Sequence, residues 1–365
     1  MTSQAYDIAI VGGGIMGCGT ALGLAKGGMR PIVLEQDDIG QGASGVNAGT
    51  LSLQIKRVKL MPYALKGHHA WEAMGEAVGF HKTGGYTLAF NEREAALLHE
   101  RMELKREAGA PITFVSPNEL AAREPSLSRR VVAASYCPED GYANSSLAGQ
   151  YYRRMLREAE VPWRDRTRIT SIEATGTGFI LRAGEDVFHA RRLLLACGGW
   201  LKDACEMIGV SLPVRARVNT VSVTERGPRL VGSVIGHATG LLTLKQKPNG
   251  TVLIGGGWQG EGTPQDGRGR VALSTVVPNL QLAQFAVPEL RNLRVVRSWT
   301  GFEANVPDFY PLAGAAPGVK NAFILGCVRG GFTIGPYISQ LMADFILGRE
   351  PELPLFDPGR TFNLE

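Results

Sequence analysis

The feature that most constrains this 365-residue chain is a glycine run set between two regular elements. Residues 5–11 (AYDIAIV) are short, apolar and rich in branched side chains, as a buried strand requires. Gly12-Gly13-Gly14-Ile15-Met16-Gly17 follows and fits G-x-G-x-x-G at Gly12, Gly14 and Gly17. Ile15, Cys18 and Leu22 then share one helical face, the pattern ends near Gly27-Gly28, and residues 31–34 form a second strand closing on Glu35. This is a complete βαβ dinucleotide unit. Gly12 permits the tight turn, Gly14 lets the backbone approach a pyrophosphate, and Gly17 lets the helix pack on the sheet. The helix start at Ile15 and Met16 offers N–H groups and a positive dipole end to phosphate. Glu35, with Gln36 beside it, is placed to accept from ribose hydroxyls, and its carboxylate repels a 2′-phosphate, which disfavours NADP. The unit alone leaves FAD and NAD both open.

Composition narrows the class. Glycine supplies 47 of the 365 residues, in clusters rather than with a collagen period. Length and hydrophobic content (44%) fit two domains with a sizeable core. The net charge of +5 is spread over scattered arginines, with no basic block or zinc-finger spacing, so nucleic-acid binding is not expected. Five cysteines form no CxxC pair, which argues against a disulfide scaffold, a zinc site or an iron–sulfur site and for a reducing, cytoplasmic setting. Residues 8–25 carry no charge, but their glycines and the preceding Asp7 favour strand, turn and helix over a signal peptide or an integral membrane span.

After Glu35 the chain runs GQGASGVNAGTLSL over 40–53, where Ala43, Ser44, Asn47, Ala48, Gly49, Thr50 and Leu51 could set hydroxyl, amide and backbone donors along a phosphate and a flat ring. Residues 192–200 (RLLLACGGW) end an apolar run in small residues, at the carboxyl end of a presumed parallel strand, where doubly wound sheets hold ligands. Cys197, Gly198 and Trp200 are therefore candidates for cofactor contact, and Ile169, opening a strand read over 169–172, joins them. Residues 322–347 give strand, glycine turn and amphipathic helix, with Gly330, Gly331, Phe332 and Thr333 at the turn.

Together the GGGIMG run with Glu35, the ASGVNAG segment, W-T-G-F-E-A-N-V-P-D at 299–308 and the Gly330–Thr333 turn resemble the D-amino-acid-oxidase-type flavoproteins, which include glycine oxidase, sarcosine oxidase and D-amino-acid dehydrogenases. The resemblance spans nearly the whole chain. It implies an α/β fold with a discontinuous Rossmann-like FAD-binding domain (1–80, 128–210 and 298–365) and a substrate-binding domain with a mostly antiparallel sheet (81–127 and 211–297). It places Ser44 and Asn47 beside FAD. It puts the Gly330–Thr333 helix start at the flavin, where free N–H groups stabilise the negative charge of reduction. It implies oxidation of a C–N bond: a hydride passes to the flavin and the imine hydrolyses, with no obligatory side-chain acid or base, so no catalytic residue is assigned. Trp299, Gly301, Pro307 and Asp308 match the family pattern, but Glu303 stands where the family has the arginine that clamps a substrate carboxylate. Either another cation (Arg57, Arg215, Arg217 or Lys245) serves, or the substrate brings a positive group for Glu303, or Glu303 pairs with a neighbour such as Arg297. Glu303, Tyr86 and Lys245 are the substrate candidates. No cysteine lies in 299–308, so FAD is expected to be non-covalent, with Cys327 the residue that could overturn this.

The strand at 251–256 lacks the oxygen-activating lysine of sarcosine-oxidase relatives, which favours a dehydrogenase. The overall look is closest to β subunits of heteromeric enzymes that oxidise opines, hydroxyproline or sarcosine, whose α subunit carries further redox centres and with which an FMN could be shared. A free-standing glycine- or sarcosine-type oxidase and an inactive flavin-holding subunit are the alternatives. His68 and His69, on a helix read over 61–78, are taken as helix-surface or core-edge residues, and no metal is expected, because no further His or Cys stands at ligand spacing.

Overall fold

The computed structural model describes residues 6–326 and 330–362, and Cys327 lies outside them. The chain forms two compact units. The first comprises residues 1–46, 145–217 and 302–365, and the second 47–144 and 218–301. Residues 47–80 and 128–144, grouped above with the first domain, are compact with the second. The reason is local pairing: Thr50–Leu51 and His81–Lys82 both pair antiparallel with Gly141–Tyr142.

In the first unit the strands Ala322–Gly326, Asp186–Leu195, Tyr6–Val11, Pro31–Leu34 and Trp163–Arg164 lie side by side and parallel, in that order. Pro31–Leu34 is buried at every residue, as expected for a strand covered on both faces. Asp186–Leu195 is one continuous strand. Its first half carries the antiparallel hairpin of Ser171–Thr175 and Gly178–Ala183. Ile169 precedes that hairpin and sits in the core with Ile32, Leu34 and Leu195.

The helices Ile15–Lys26 and Gly331–Ile346 pack along a glycine stripe. A Cβ on Gly19 would lie 2.5 Å from Ser339 Oγ, one on Gly23 2.6 Å from Ala343 Cβ, and one on Gly27 2.5 Å from Leu347 Cδ1. At the head of the row, a Cβ on Gly335 would meet Ile15 Cγ2 at 3.2 Å. The pairs rise together in steps of four residues, so the helices run parallel and start at the same end.

In the second unit a sheet orders Val295–Asn305, Arg215–Thr224, Val252–Gly255, Thr243–Gln246, Val234–His237, Gly85–Ala89, Ala133–Cys137 and Thr113–Val115. Val234–His237 runs parallel to Gly85–Ala89; from Arg215–Thr224 to Thr113–Val115 the other pairs are antiparallel. The stretch 213–296 reads as strands without helical period, yet it contains the helix Leu273–Ala286. Pro278 within it reads as a breaker, and exposed Leu273 and Val277 blur the amphipathic pattern. The face that decides is Val276, Asn279, Ala283 and Ala286, all buried, with Asn279 Nδ2 donating to Gly255 O at 3.1 Å.

Candidate active site

Tyr6–Val11 has Asp186–Leu195 on one side and Pro31–Leu34 on the other, so its carboxyl end is a topological switch point, the place where such sheets hold ligands. The turn leaving it is closed by atoms too near for any side chain. Gly12 has φ +112°, and a Cβ there would lie 2.3 Å from Ala196 O. A Cβ on Gly17 would lie 1.9 Å from Gly12 O, so this glycine packs the helix onto the turn itself more tightly than onto the sheet. Gly14 caps the helix in extended conformation, leaving the first-turn N–H groups to find other acceptors. Ser44 Oγ takes one of them, from Ile15, at 3.0 Å, so this predicted contact residue serves as a brace for the helix start. Ala43 and Val46 bound the short helical turn that carries it.

Glu35 ends its strand with both carboxylate oxygens engaged. Oε2 accepts from Gly13 N–H at 2.6 Å and Oε1 from Asp37 N–H at 2.9 Å. Burial pushes its carboxyl above the usual range against the pull of those two bonds. Gln36, beside it, is half-buried. Across the switch point, Cys197 Sγ lies 3.2 Å from Val11 O, and Gly198 has φ +54° with open space where its Cβ would be. Burial pushes the Cys197 thiol up, which disfavours the reactive thiolate. Trp200 meets Phe302 edge to face at 5.3 Å.

The second helix start in the first unit is at Gly331, capped by Gly330 in left-handed conformation, φ +65°. Glu303 Oε1 accepts the Gly330 N–H at 3.2 Å, so Glu303 braces this turn. Phe332 is half-buried and Thr333 fully buried. Thr333 Oγ1 meets no hydrogen-bond partner among the described residues. An orphaned buried hydroxyl one turn into a helix, beside a second helix start, is what a ring edge with acceptor atoms would satisfy.

In the second unit, Asn47 Oδ1 accepts Gly49 N–H at 2.6 Å, and Gly49, at φ +72°, presses its α-carbon towards Ala143 O, where a Cβ would be 2.0 Å away. Ala48 lies within this turn. Thr50–Leu51 follows as a strand. Lys245 Nζ donates to Thr50 Oγ1 at 2.7 Å and is 1% exposed. Burial, helped by the charge of Lys247, holds the Lys245 amine well below the lysine range. Lys247 itself sits 3.7 Å from the Tyr142 ring centroid and is pushed down to about 8 by burial. Beyond Thr50, buried Asp140 fixes the chain: it accepts from Ser52 Oγ at 2.5 Å, Leu53 N–H at 2.7 Å and Gln54 Nε2 at 3.2 Å. Asp140 and Gln54 were not among the expected site residues, and only their structural neighbourhood reveals them. Tyr86 is buried against Tyr136 in the core of the sheet, where burial pushes its phenol up against the opposing pull of the Arg123 guanidinium.

A sequence model of the DAO family, the FAD dependent oxidoreductases, matches residues 7–345. The chain belongs to that family. As an FAD-dependent oxidoreductase it is 30% identical to one of the opine oxidase subunits of Rhizobium meliloti, over 89% of each chain. It is 27% identical to glycine oxidase of Geobacillus kaustophilus (strain HTA426), over 96% of this chain and 95% of that one. The crystal structure of glycine oxidase from Geobacillus kaustophilus superposes with a TM-score of 0.91 at 26% identity, covering 99% of this chain and all of that one. That of L-proline dehydrogenase from P. horikoshii reaches 0.90 at 22% identity, over 97% of both, and attests the fold. Among the described residues of this oxidoreductase no helix is long and apolar enough to cross a membrane.

Proposed function

We propose that this oxidoreductase oxidises the C–N bond of an N-substituted amino acid of the opine type, as the FAD-bearing β subunit of a heteromeric dehydrogenase. The observation that carries the redox part is the pair of parallel helix starts at Ile15 and Gly331, the second holding the orphaned Thr333 hydroxyl. Two positive helix ends set side by side suit a pyrophosphate at one and a ring that takes up negative charge at the other.

In this reading Gly12 and Gly17 close the turn so that the helix start at Gly14 and Met16 holds the phosphates, and the remaining lone pairs of Glu35 take the ribose, with Gln36 near. Gly198 to Trp200 line the cofactor, and Gly330 to Thr333 hold its ring, non-covalently; the resemblance alone keeps Asn47 to Leu51 as cofactor candidates. When bound, FAD supplies the acceptor for two electrons. On the substrate a C–H and an N–H bond break, a C=N bond forms, and water splits the imine into an amine and a carbonyl compound. The chain's part is to bind, orient and exclude water, which such a reaction rewards without a dedicated acid or base. Glu303, braced on Gly330, positions the ring-binding turn and does not clamp a carboxylate. Lys245, held on Thr50 with its amine well below the lysine range, stays a substrate candidate as a hydrogen-bonding amine and not as a clamping cation, and Tyr86 supports the sheet beside it.

The opine class and the heteromeric assembly rest on the relative named as a subunit of opine oxidase, similar along almost the full length of both chains. A free-standing oxidase is the second reading; it draws on the similarity to glycine oxidases and on Lys245, which the sheet sets beside Leu253 even though the strand at 251–256 has no lysine. Anaerobic bleaching of the bound flavin by a panel of opines, N-alkyl glycines, prolines and D-amino acids tests the substrate class. Peroxide formed at full rate by the chain alone would replace the first reading with the second.

A further inference from the structure

We infer that the second unit carries a divalent-metal site built from His68, Glu72 and Glu139. His68 and Glu72 lie four residues apart on the helix Met61–Met74 and so share a face. Glu139 comes from the turn between Ala133–Cys137 and Gly141–Tyr142. One ligand atom from each of the three lies within 4.8 Å of the other two. The expectation of no metal considered only His and Cys spacing; Glu72 was visible at i+4, but Glu139 arrives only through the fold.

Two carboxylates near each other prove little, and here they already draw a cation: Lys82 Nζ is 3.2 Å from Glu72 Oε1 and 2.7 Å from Glu139 Oε2. The histidine is what this ion pairing leaves unexplained. His68 is 1% exposed, packed edge-on against Phe80 at 5.5 Å, and neither ring nitrogen has a hydrogen-bond partner among the described residues. Buried imidazole nitrogens are normally satisfied. A metal ion taking one nitrogen and two carboxylate oxygens would satisfy that ring nitrogen and both acids. The N/O donor set suits Zn²⁺ or Co²⁺ better than Ca²⁺, which takes oxygens alone. Lys82 is partly exposed and can swing its ammonium into solvent as the ion enters. Bound metal would tie the helix to the turn just before Asp140, the residue that holds Ser52, Leu53 and Gln54.

The test uses the full FAD-loaded chain, stripped with chelator and titrated separately with Zn²⁺ by calorimetry and with Co²⁺ by visible absorption to the red of the flavin bands. One ion per chain is expected, with d–d bands of low coordination number. His68→Gln and Glu139→Gln should each weaken binding about tenfold or more, while Lys82→Met, which removes the competing ammonium, should tighten it about tenfold. Should His68→Gln fail to fold, Glu139→Gln and Lys82→Met give the same decision. No saturable binding by the parent and by Lys82→Met, or equal affinity in parent and Glu139→Gln, would overturn the site.

Discussion

Thr333→Val separates the two things its hydroxyl does. In the chain without cofactor, Thr333 Oγ1 is buried and has no partner among the described residues, a state that costs about 1–3 kcal/mol. Valine keeps the shape and removes the polar atom, so the apoprotein should be unharmed or more stable, melting up to a few degrees higher. With FAD present the same hydroxyl is proposed to bond the ring, and a net hydrogen bond is worth about 0.5–1.5 kcal/mol. Its loss should weaken FAD binding roughly 2- to 13-fold. The assays are a thermal melt of deflavinated protein and a titration of that protein with FAD, followed by quenching of flavin fluorescence. The two effects have opposite signs, which an ordinary packing defect cannot produce. An apoprotein that melts several degrees lower, or FAD titration curves that superimpose, would refute the reasoning.

Gly17→Ala would set a methyl 1.9 Å from Gly12 O, so the turn must open; overpacking of this kind costs about 1–3 kcal/mol, and the purified protein should show a lower flavin-to-protein absorbance ratio. Lys245→Met should raise thermal stability at pH 7. Because the folded pKa of Lys245 is depressed, the parent loses stability as pH falls from the ordinary lysine range towards that folded value, so the gain should shrink as pH approaches 10; a gain that grows with pH would contradict the assignment. Asp140→Asn replaces an acceptor of three donors by a group that can match them only in part, and should cost about 1–3 kcal/mol in denaturant titration, with KM rising because the segment after Thr50 loosens.

What was legible in the sequence was whatever local chemistry dictates. The strand before Gly12, the helix after it and the strand ending at Leu34 stand where the periodicity and glycines set them. What depended on distant partners was not legible. For Ser44 and Glu303, read as ligand contacts, nothing local shows that they also accept the Ile15 N–H and the Gly330 N–H. His68 looked like an edge residue, because its burial comes from elements folded over the helix. The helix Leu273–Ala286 was hidden by Pro278, whose cost is offset by tertiary packing of Val276, Ala283 and Ala286.

The glycine stripe between the two parallel helices acts as a ruler. Contacts at Gly19, Gly23 and Gly27 fix the helices in steps of four residues, so the offset between their leading ends is set by side-chain registry and not by the connecting loops. Loops elsewhere can lengthen without disturbing that offset. One residue inserted in either helix beyond its first turn would swing the stripe by about 100° and advance it about 1.5 Å, moving one leading end relative to the other. The chain therefore tolerates growth between its elements and resists it within this pair, and a molecule that engages both ends at once is measured against a length the backbone has already fixed.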